Sequence, residues 1–226
     1  MLKQKKTSYY LINIVEKLFG LRLFTLEELE KIMLTSLNGV TEASDYTMHF
    51  NSKYYQYLHD NNPLFNQNNW LLDELEEIIE KKPTIISELG CGNGLFSAKV
   101  AGRCSSVYAI DWAESSGAKG FPENVTFLKK DIVSDDIPPA DLVCSGDFLE
   151  HLPTSELERT ILKVVNCAPF GYHKIACYDD GHSHLSVLPP WRWLLYFQEA
   201  DPRYKIKKIK LRRNNVDQII VVISNY

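Results

Sequence analysis

The chain has 226 residues, with 25 Lys+Arg against 29 Asp+Glu for a formal charge of −4, and is 45% hydrophobic and 24% charged. This size fits one generous domain or a core with a small appendage, and the composition is that of a soluble globular chain rather than a disordered or fibrous one. No run reaches the ~18 apolar residues of a membrane helix, and the mild charge excludes a molecule that binds nucleic acid over its whole surface.

The basic start MLKQKKTSYYLINIVEKLFG is interrupted by Asn13, Glu16 and Lys17 and is followed by no small-residue cleavage site, so it does not read as a signal peptide. Cysteines at 91, 104, 144, 167 and 177 are odd in number and lack CxxC spacing, the usage expected of reduced thiols in a cytoplasmic protein.

The first helix is expected after Phe24, in TLEELEKIMLTSLNG. Thr25 and Glu28 form a capping box, Leu26, Leu29, Ile32 and Met33 share a face, and Gly39 stands where a helix ends. The next segment, TMHFNSKYYQYLHDNNPLFNQNN, is too polar for a core helix and too aromatic for a linker. It reads either as a helical arm packed on the surface or as aromatics (Tyr54, Tyr55, Tyr57, Phe65) laid across a cleft. A helix over 70–81 follows, N-capped by Asn69. Leu71, Leu72, Leu75, Ile78 and Ile79 face inward, while Asp73, Glu74, Glu76, Glu77 and Glu80 face mainly water, and Pro83 stops the helix.

Beyond Pro83 the pattern changes to short Ile/Val-rich runs alternating with turns and helices. Strands are expected at Thr84–Leu89, Val107–Asp111, Val125–Lys129, Asp141–Ser145 and Tyr172–Tyr178. Helices are expected at Gly94–Ala101, at 156–167 behind a Ser155/Glu158 capping box, and at 190–200 opened by Pro190, with Trp191, Leu194, Leu195 and Phe197 inward. Tyr204–Leu211 and Gln218–Ile223 read as an antiparallel pair with a tight turn near Asn214–Asn215. Strands separated by crossovers make an α/β protein, a doubly wound and mostly parallel sheet with a mixed edge.

The strongest chemical signal is IISELGCGNGLF, in which a strand runs into Glu88 and then Gly90, Cys91, Gly92, Asn93 and Gly94 lead into a helix. Glycines there permit a tight turn and let a ligand approach the backbone. The second strand ends VYAIDW, placing Asp111 about twenty residues after Gly90, where a carboxylate can accept hydrogen bonds from both hydroxyls of an adenosine ribose. A nicotinamide dinucleotide shares that spacing. Glu88 beside the turn would sit poorly against a pyrophosphate but suits a cationic amino-acid ligand, and Asp131, in FLKKDI, stands where it can accept a proton from an adenine amino group.

At these residues the chain resembles the class I S-adenosylmethionine-dependent methyltransferases. ELGCGNG is similar to their first motif, Asp111 to their ribose-binding acid, Asp131-Ile132 to their adenine-side motif, and DLVCSGDFLEHLP to their fourth-strand motif, notably in the small-molecule group. The resemblance covers 84–226. It implies the Rossmann-like methyltransferase fold, a seven-stranded sheet in the order three-two-one-four-five-seven-six with the last strand antiparallel, and S-adenosylmethionine as cofactor. It implies further that Gly90, Gly92 and the adjoining backbone hold the methionine portion, that Asp111 binds ribose, and that Trp112 and Ile132 flank adenine. Residues 1–83 then form an N-terminal helical cap or substrate lid, and 84–226 the cofactor-binding domain. Two connections are lean for this family: AESSGAKGFPEN leaves room for only a very short helix, and IVSDDIPPA for none.

Methyl transfer from a sulfonium needs alignment, and a base only when an O–H or N–H nucleophile must lose a proton. Asp147, Glu150 and His151 follow the fourth strand, where Glu150 or His151 reads equally well as a brace for the next helix. CYDDGHSHLSVLPPWRW, after the fifth strand, carries His182 and His184 behind Asp179 and Asp180. It reads as a substrate-site loop in which one histidine is a base or hydrogen-bond partner, or as a surface turn. No metal is assigned, because two alternating histidines lack a clear third ligand. The expected catalytic set is thus His182, His184, His151 and Asp147. Trp191 and Trp193 wall this loop or belong to the core.

The basic run RYKIKKIKLRR fits a half-buried edge strand with a charged outer face, or a surface for phosphate, an anionic glycan or RNA. The catalytic tetrapeptides ending in Pro-Pro-Tyr of amino-directed nucleic-acid methyltransferases are absent, the fourth strand reading SGDF. The leading expectation is a cytoplasmic methyltransferase acting, at oxygen, on a small-molecule or glycan acceptor. The alternatives are an RNA or protein methyltransferase using 203–213, a non-catalytic nucleotide-binding protein, and a nicotinamide oxidoreductase.

Overall fold

Branched residues in short runs pay least conformational entropy in extended backbone, and seven such runs build one sheet. In the computed structural model, which describes residues 51–61, 69–180 and 183–226, they are β1 (Ile85–Leu89), β2 (Ser106–Asp111), β3 (Val125–Lys129), β4 (Leu142–Gly146), β5 (Phe170–Ala176), β6 (Lys205–Leu211) and β7 (Ile219–Ser224). Their order is β3-β2-β1-β4-β5-β7-β6. β1 to β5 run parallel, and β7 is antiparallel to both β5 and β6. The central strands are covered on both faces: Ile86, Leu89, Val107, Ile110, Leu142 and Val143 are each fully buried, as a parallel sheet between helical layers requires. The sheet order and mixed edge are those expected from the sequence.

The described helices are α1 (Ser52–Asn61), α2 (Leu75–Ile78), α3 (Leu95–Val100), α4 (Thr154–Asn166) and α5 (Pro190–Ala200). With the sheet they form one compact unit, Ser52–Tyr226. The two lean connections are as short as expected. Only a 3-10 turn, Ser116–Gly120, lies between β2 and β3, and no helix lies between β3 and β4. The expected helix after Phe24 lies outside the described residues, as does Phe65.

Three local expectations are corrected. The helix at 70–81 is a 3-10 turn, one short α-helical turn and a second 3-10 turn. Asn69 does not cap it; its side-chain oxygen accepts the Leu71 N–H at 2.9 Å, and Leu71, two residues on, is itself the N-cap position. The Ser155/Glu158 capping box is not made: α4 begins at Thr154 behind Pro153 with no side-chain cap, and the Thr154 hydroxyl is engaged with Ser186 at 3.0 Å. In α5 the inward pair is Trp193 and Phe197, both fully buried, whereas Trp191 and Leu195 are 48% and 40% exposed. Pro190 fixes the helix start, and the i, i+4 face that meets the sheet falls on 193 and 197.

Glu74 is the most informative departure. It was expected to face water, yet it is 1% exposed. Its carboxylate meets Lys174 at 3.1 Å, Lys208 at 3.2 Å and Lys210, and accepts from the Tyr172 hydroxyl at 3.1 Å. Glu77 pairs with Lys208, and Glu80 lies 3.8 Å from Lys207. The acidic run and the basic strand, more than a hundred residues apart, therefore neutralise each other. Burial works against the Glu74 charge, but the Lys210, Lys174 and Lys208 ammoniums outweigh it and hold the carboxyl at about 2.

A carboxyl depressed in this way stabilises the fold above its unfolded value near 4.3, and the contribution disappears as pH falls toward about 2. Glu74→Gln removes the countercharge of Lys174, whose side chain is 8% exposed. Breaking a buried pair from one side costs roughly 3–5 kcal/mol, so the urea midpoint of this variant at neutral pH should fall by a corresponding amount. The gap from the wild type should narrow in acid. Equal midpoints at neutral pH would show that the cluster contributes nothing to stability.

Candidate active site at the strand ends

Parallel strands deliver their carboxyl ends to one edge of the sheet, where ligands bind in α/β folds. β1 ends at Leu89 and the chain turns through Gly90–Gly94 into α3. Gly90 has φ +65°, and a Cβ there would stand 2.5 Å from the Phe148 ring; Gly94 has φ +71°, and a Cβ would stand 2.4 Å from Phe121. Only glycine satisfies both the left-handed backbone and the close approach. The Gly92 N–H donates to Asp111 Oδ2, and the Ala113 N–H to Oδ1, each at 2.9 Å. Burial raises the Asp111 carboxyl, and those two backbone donors oppose the rise.

A cavity opens above this turn. Gly90, Gly92 and Asp111 form its floor, and Trp112, Asp131 and Ile132 form one wall. Asp147, Phe148 and His151 stand at the other end, with Tyr55 and His59 of α1 above. Gln56 clamps α1 to the end of β2: its amide donates to the Glu114 carbonyl at 2.8 Å and accepts the Glu114 N–H at 2.9 Å. The Tyr55 ring lies 5.8 Å from that of Trp112, and its hydroxyl is 3.2 Å from His151 Nδ1. Tyr57 points outward, 63% exposed.

The remaining residues of the glycine motif stand behind the turn. Glu88, 1% exposed, accepts from Ser97 Oγ and, at 3.4 Å, from Asn69. Cys91 is buried, its N–H bonded to the Ile110 carbonyl at 3.0 Å. Asn93 Oδ1 accepts the Leu95 N–H at 3.1 Å. Asp131 lines the cavity, while its Oδ1 takes the Val133 N–H at 3.0 Å.

The loop after β4 supplies the other end. Asp147 sits at φ +57°, a conformation rare outside glycine, and its N–H donates to the Lys174 carbonyl at 3.1 Å. Burial pushes its carboxyl up to about 6, against His184 and Arg212. Glu150 is fully buried and its Oε1 accepts the Ala176 N–H at 2.7 Å, so it ties this loop to β5. Burial, with Asp147 nearby, pushes it well above the usual carboxylate range. The loop after β5 folds back through Asp180, whose Oδ1 accepts the Ser183 and His184 N–H groups at 2.8 and 3.1 Å. His184 Nε2 thereby comes 4.0 Å from Asp147 Oδ1, and its ring lies 5.0 Å from that of His151.

Asp147, His151 and His184 are thus brought together, while His182 lies outside the described residues. Tyr55, His59, Lys130 and Phe148 line the cavity without having been singled out as site residues. The aromatic segment around Tyr55 was the one available signal, and nothing local in the sequence marks which tyrosine turns inward. The arrangement offers an acceptor for ribose-like hydroxyls at Asp111, an apolar flank at Trp112 and Ile132, and proton-accepting groups at the far end.

Burial pushes the Glu88 carboxyl up to about 8. The folded chain keeps a proton that the unfolded chain releases near 4.3, so this contribution to stability is complete below that value and lost as pH rises toward 8. Glu88→Gln should therefore flatten the decline of the urea midpoint between about pH 5 and 8. A decline parallel to the wild type would place the slope on other groups.

No family model matches the chain. Among curated proteins it is 27% identical over 155 residues to a phosphoethanolamine N-methyltransferase of Triticum aestivum, a match covering 61% of the chain and 29% of that protein, so the chain corresponds to less than a third of this relative. Among solved structures it is similar to the 1,6-didemethyltoxoflavin-N1-methyltransferase of Burkholderia thailandensis with bound S-adenosylhomocysteine (TM-score 0.62, 14% identity, 80% of this chain and 88% of that one). It is also similar to the N-methyltransferase NodS of Bradyrhizobium japonicum (0.60, 13%, 76% and 96%) and the magnesium protoporphyrin IX methyltransferase of Synechocystis (0.57, 14%, 80% and 96%). With its strand order, glycine turn and strand-end acid, the chain has the fold of the class I S-adenosylmethionine-dependent methyltransferases.

Proposed function

We propose that the chain is an S-adenosylmethionine-dependent methyltransferase acting on a small-molecule or glycan acceptor at oxygen. The observation that carries this reading is that one cavity joins the Gly90–Gly92 turn and Asp111 to Asp147 and His151. In this reading Asp111 binds the ribose hydroxyls, Trp112 and Ile132 flank adenine, Asp131 faces its amino group, and the turn holds the methionine portion. In this reading α1 roofs the cavity. The acceptor oxygen attacks the sulfonium methyl carbon in line, the carbon–sulfur bond breaks, and neutral S-adenosylhomocysteine leaves. The hydroxyl proton passes to the Asp147, His151 and His184 cluster, with His182 on the same loop. The free thiols support the cytoplasmic setting expected from the sequence.

The match to a phosphoethanolamine N-methyltransferase favours a second reading, transfer to an amine. The RNA or protein reading loses its main support: β6 lies three strands from β4, and Lys207, Lys208 and Lys210 pair with Glu80, Glu77 and Glu74.

Calorimetry with S-adenosylhomocysteine should give one site per chain. Asp111→Ala, folded by circular dichroism, should weaken it by roughly a hundredfold, the loss of two hydrogen bonds to a charged acceptor. Unchanged affinity would sink the ribose assignment. Transfer of a labelled methyl group to panels of hydroxyl and amine acceptors separates the two readings. Binding without transfer to either panel would point to the non-catalytic alternative.

A further inference from the structure

We propose that Asp147, His151 and His184 form a binding site for one divalent first-row transition-metal ion of the Zn²⁺ type, at the acceptor end of the cavity. The role at the acceptor end rests on the methyl-transfer reading; the ion site itself does not. Each of the three residues offers one ligand atom, and these atoms all lie within 4.8 Å of one another. They come from two loops that nothing in the sequence makes adjacent.

Hydrogen bonds fix the chemistry of both rings. His184 Nδ1 is 2.6 Å from the Tyr178 carbonyl, and His151 Nδ1 is 3.0 Å from the Ser183 carbonyl. A carbonyl only accepts, so Nδ1 carries the proton in each case, shared at His151 with the Tyr55 hydroxyl 3.2 Å away, and when the rings are neutral Nε2 holds the lone pair. This is the arrangement by which proteins orient metal-ligating histidines, with the second nitrogen anchored on the backbone. The Asp147 carboxylate is acceptor-only when ionised, and His184 Nε2 also lies 3.8 Å from Asp180 Oδ2. One ligand atom from each of the three residues thus converges on one place, where a cation can be held by all three.

Among the described residues the nearby cations make their hydrogen bonds elsewhere. Arg212 donates to the Tyr178 hydroxyl, and Lys174 donates to the Trp70 carbonyl and pairs with Glu74. Asp147 is held in its left-handed conformation at this same spot, where a strained residue points to function.

Two imidazoles and one carboxylate select Zn²⁺ and its first-row neighbours over Mg²⁺ or Ca²⁺, which prefer all-oxygen sets. Ligands on Zn²⁺ at 2.0–2.1 Å stand roughly 3.3 Å apart, so the side chains need close by up to about 1.5 Å. Three protein ligands leave a position open. An acceptor hydroxyl fits it, and with the ion in place its proton would leave to water, the three ligands then no longer accepting it, which narrows the substrate class to hydroxylated molecules that can coordinate a metal.

Titration of the full chain with Co²⁺, followed by its visible absorption, and with Zn²⁺ by calorimetry should give one ion per chain. Asp147→Asn and His184→Gln, both folded by circular dichroism, should each weaken binding by at least roughly tenfold. No bound ion in the wild type would overturn the site, as would affinity unchanged in either variant, including the case in which His182 and His184 alone hold the ion. S-adenosylhomocysteine affinity measured on the same samples separates the two readings. An ion without that ligand overturns methyl transfer and leaves the site, whereas the ligand without an ion overturns the site alone.

Discussion

Phe148 lies where a side chain on Gly90 would be, and this close approach joins the two halves of the cavity. β1 and β4 are neighbours in the sheet, so their turns emerge side by side. Any Cβ at Gly90 would force the β4 loop away, and Asp147 and His151 with it. Because the glycine is bare, the aromatic ring seats on the turn and the loop is held over it. Glu150 secures the loop from the other side through the Ala176 N–H, and the Ser186 N–H donates to the Glu150 carbonyl at 2.9 Å. The β1 side and the β4 side of the cavity are thus set by one contact between a glycine and an aromatic ring, braced by one buried carboxyl.

The second organising feature is electrostatic. An overall charge of −4 conceals an acidic run at 73–80 and a basic strand at 203–213. Folding places the first against the second, with Glu74 surrounded by three lysines and the Tyr172 hydroxyl. Desolvating a single carboxylate is expensive unless it is paired and hydrogen-bonded, and both conditions are met here. The consequence reaches function. Lysines that compensate buried or half-buried acids are not a free phosphate-binding surface, so the strand that looked most like a nucleic-acid contact does structural work at the edge of the sheet.

What could be read from the sequence was what short-range pattern specifies. The strand positions, the lean connections, the glycine turn and Asp111 all follow from periodicity and from spacing within one βαβ unit. The sequence missed features whose cause is distant along the chain. Glu74 looked solvent-exposed because its countercharges, Lys208 and Lys210, lie far downstream. Trp191 and Trp193 are equally apolar, and only the start of α5 relative to the sheet decides which is buried. Ser155 and Glu158 have capping-box spacing, yet Pro153 and the Thr154–Ser186 contact begin the helix two residues earlier than that box allows. The grouping of Asp147 with His184 is of the same kind: the histidines were visible, but their position depends on Asp180 folding the β5 loop back.

α1 shows how unevenly the cavity walls are held. The floor is strand-end backbone locked into the sheet, and the wall after β4 is anchored by buried Glu150. The roof is tied by the exposed Gln56–Glu114 pair and by the Tyr55 contacts to Trp112 and His151. Exposed hydrogen bonds contribute only about 0.5–1.5 kcal/mol each, far less than the burial that fixes the sheet.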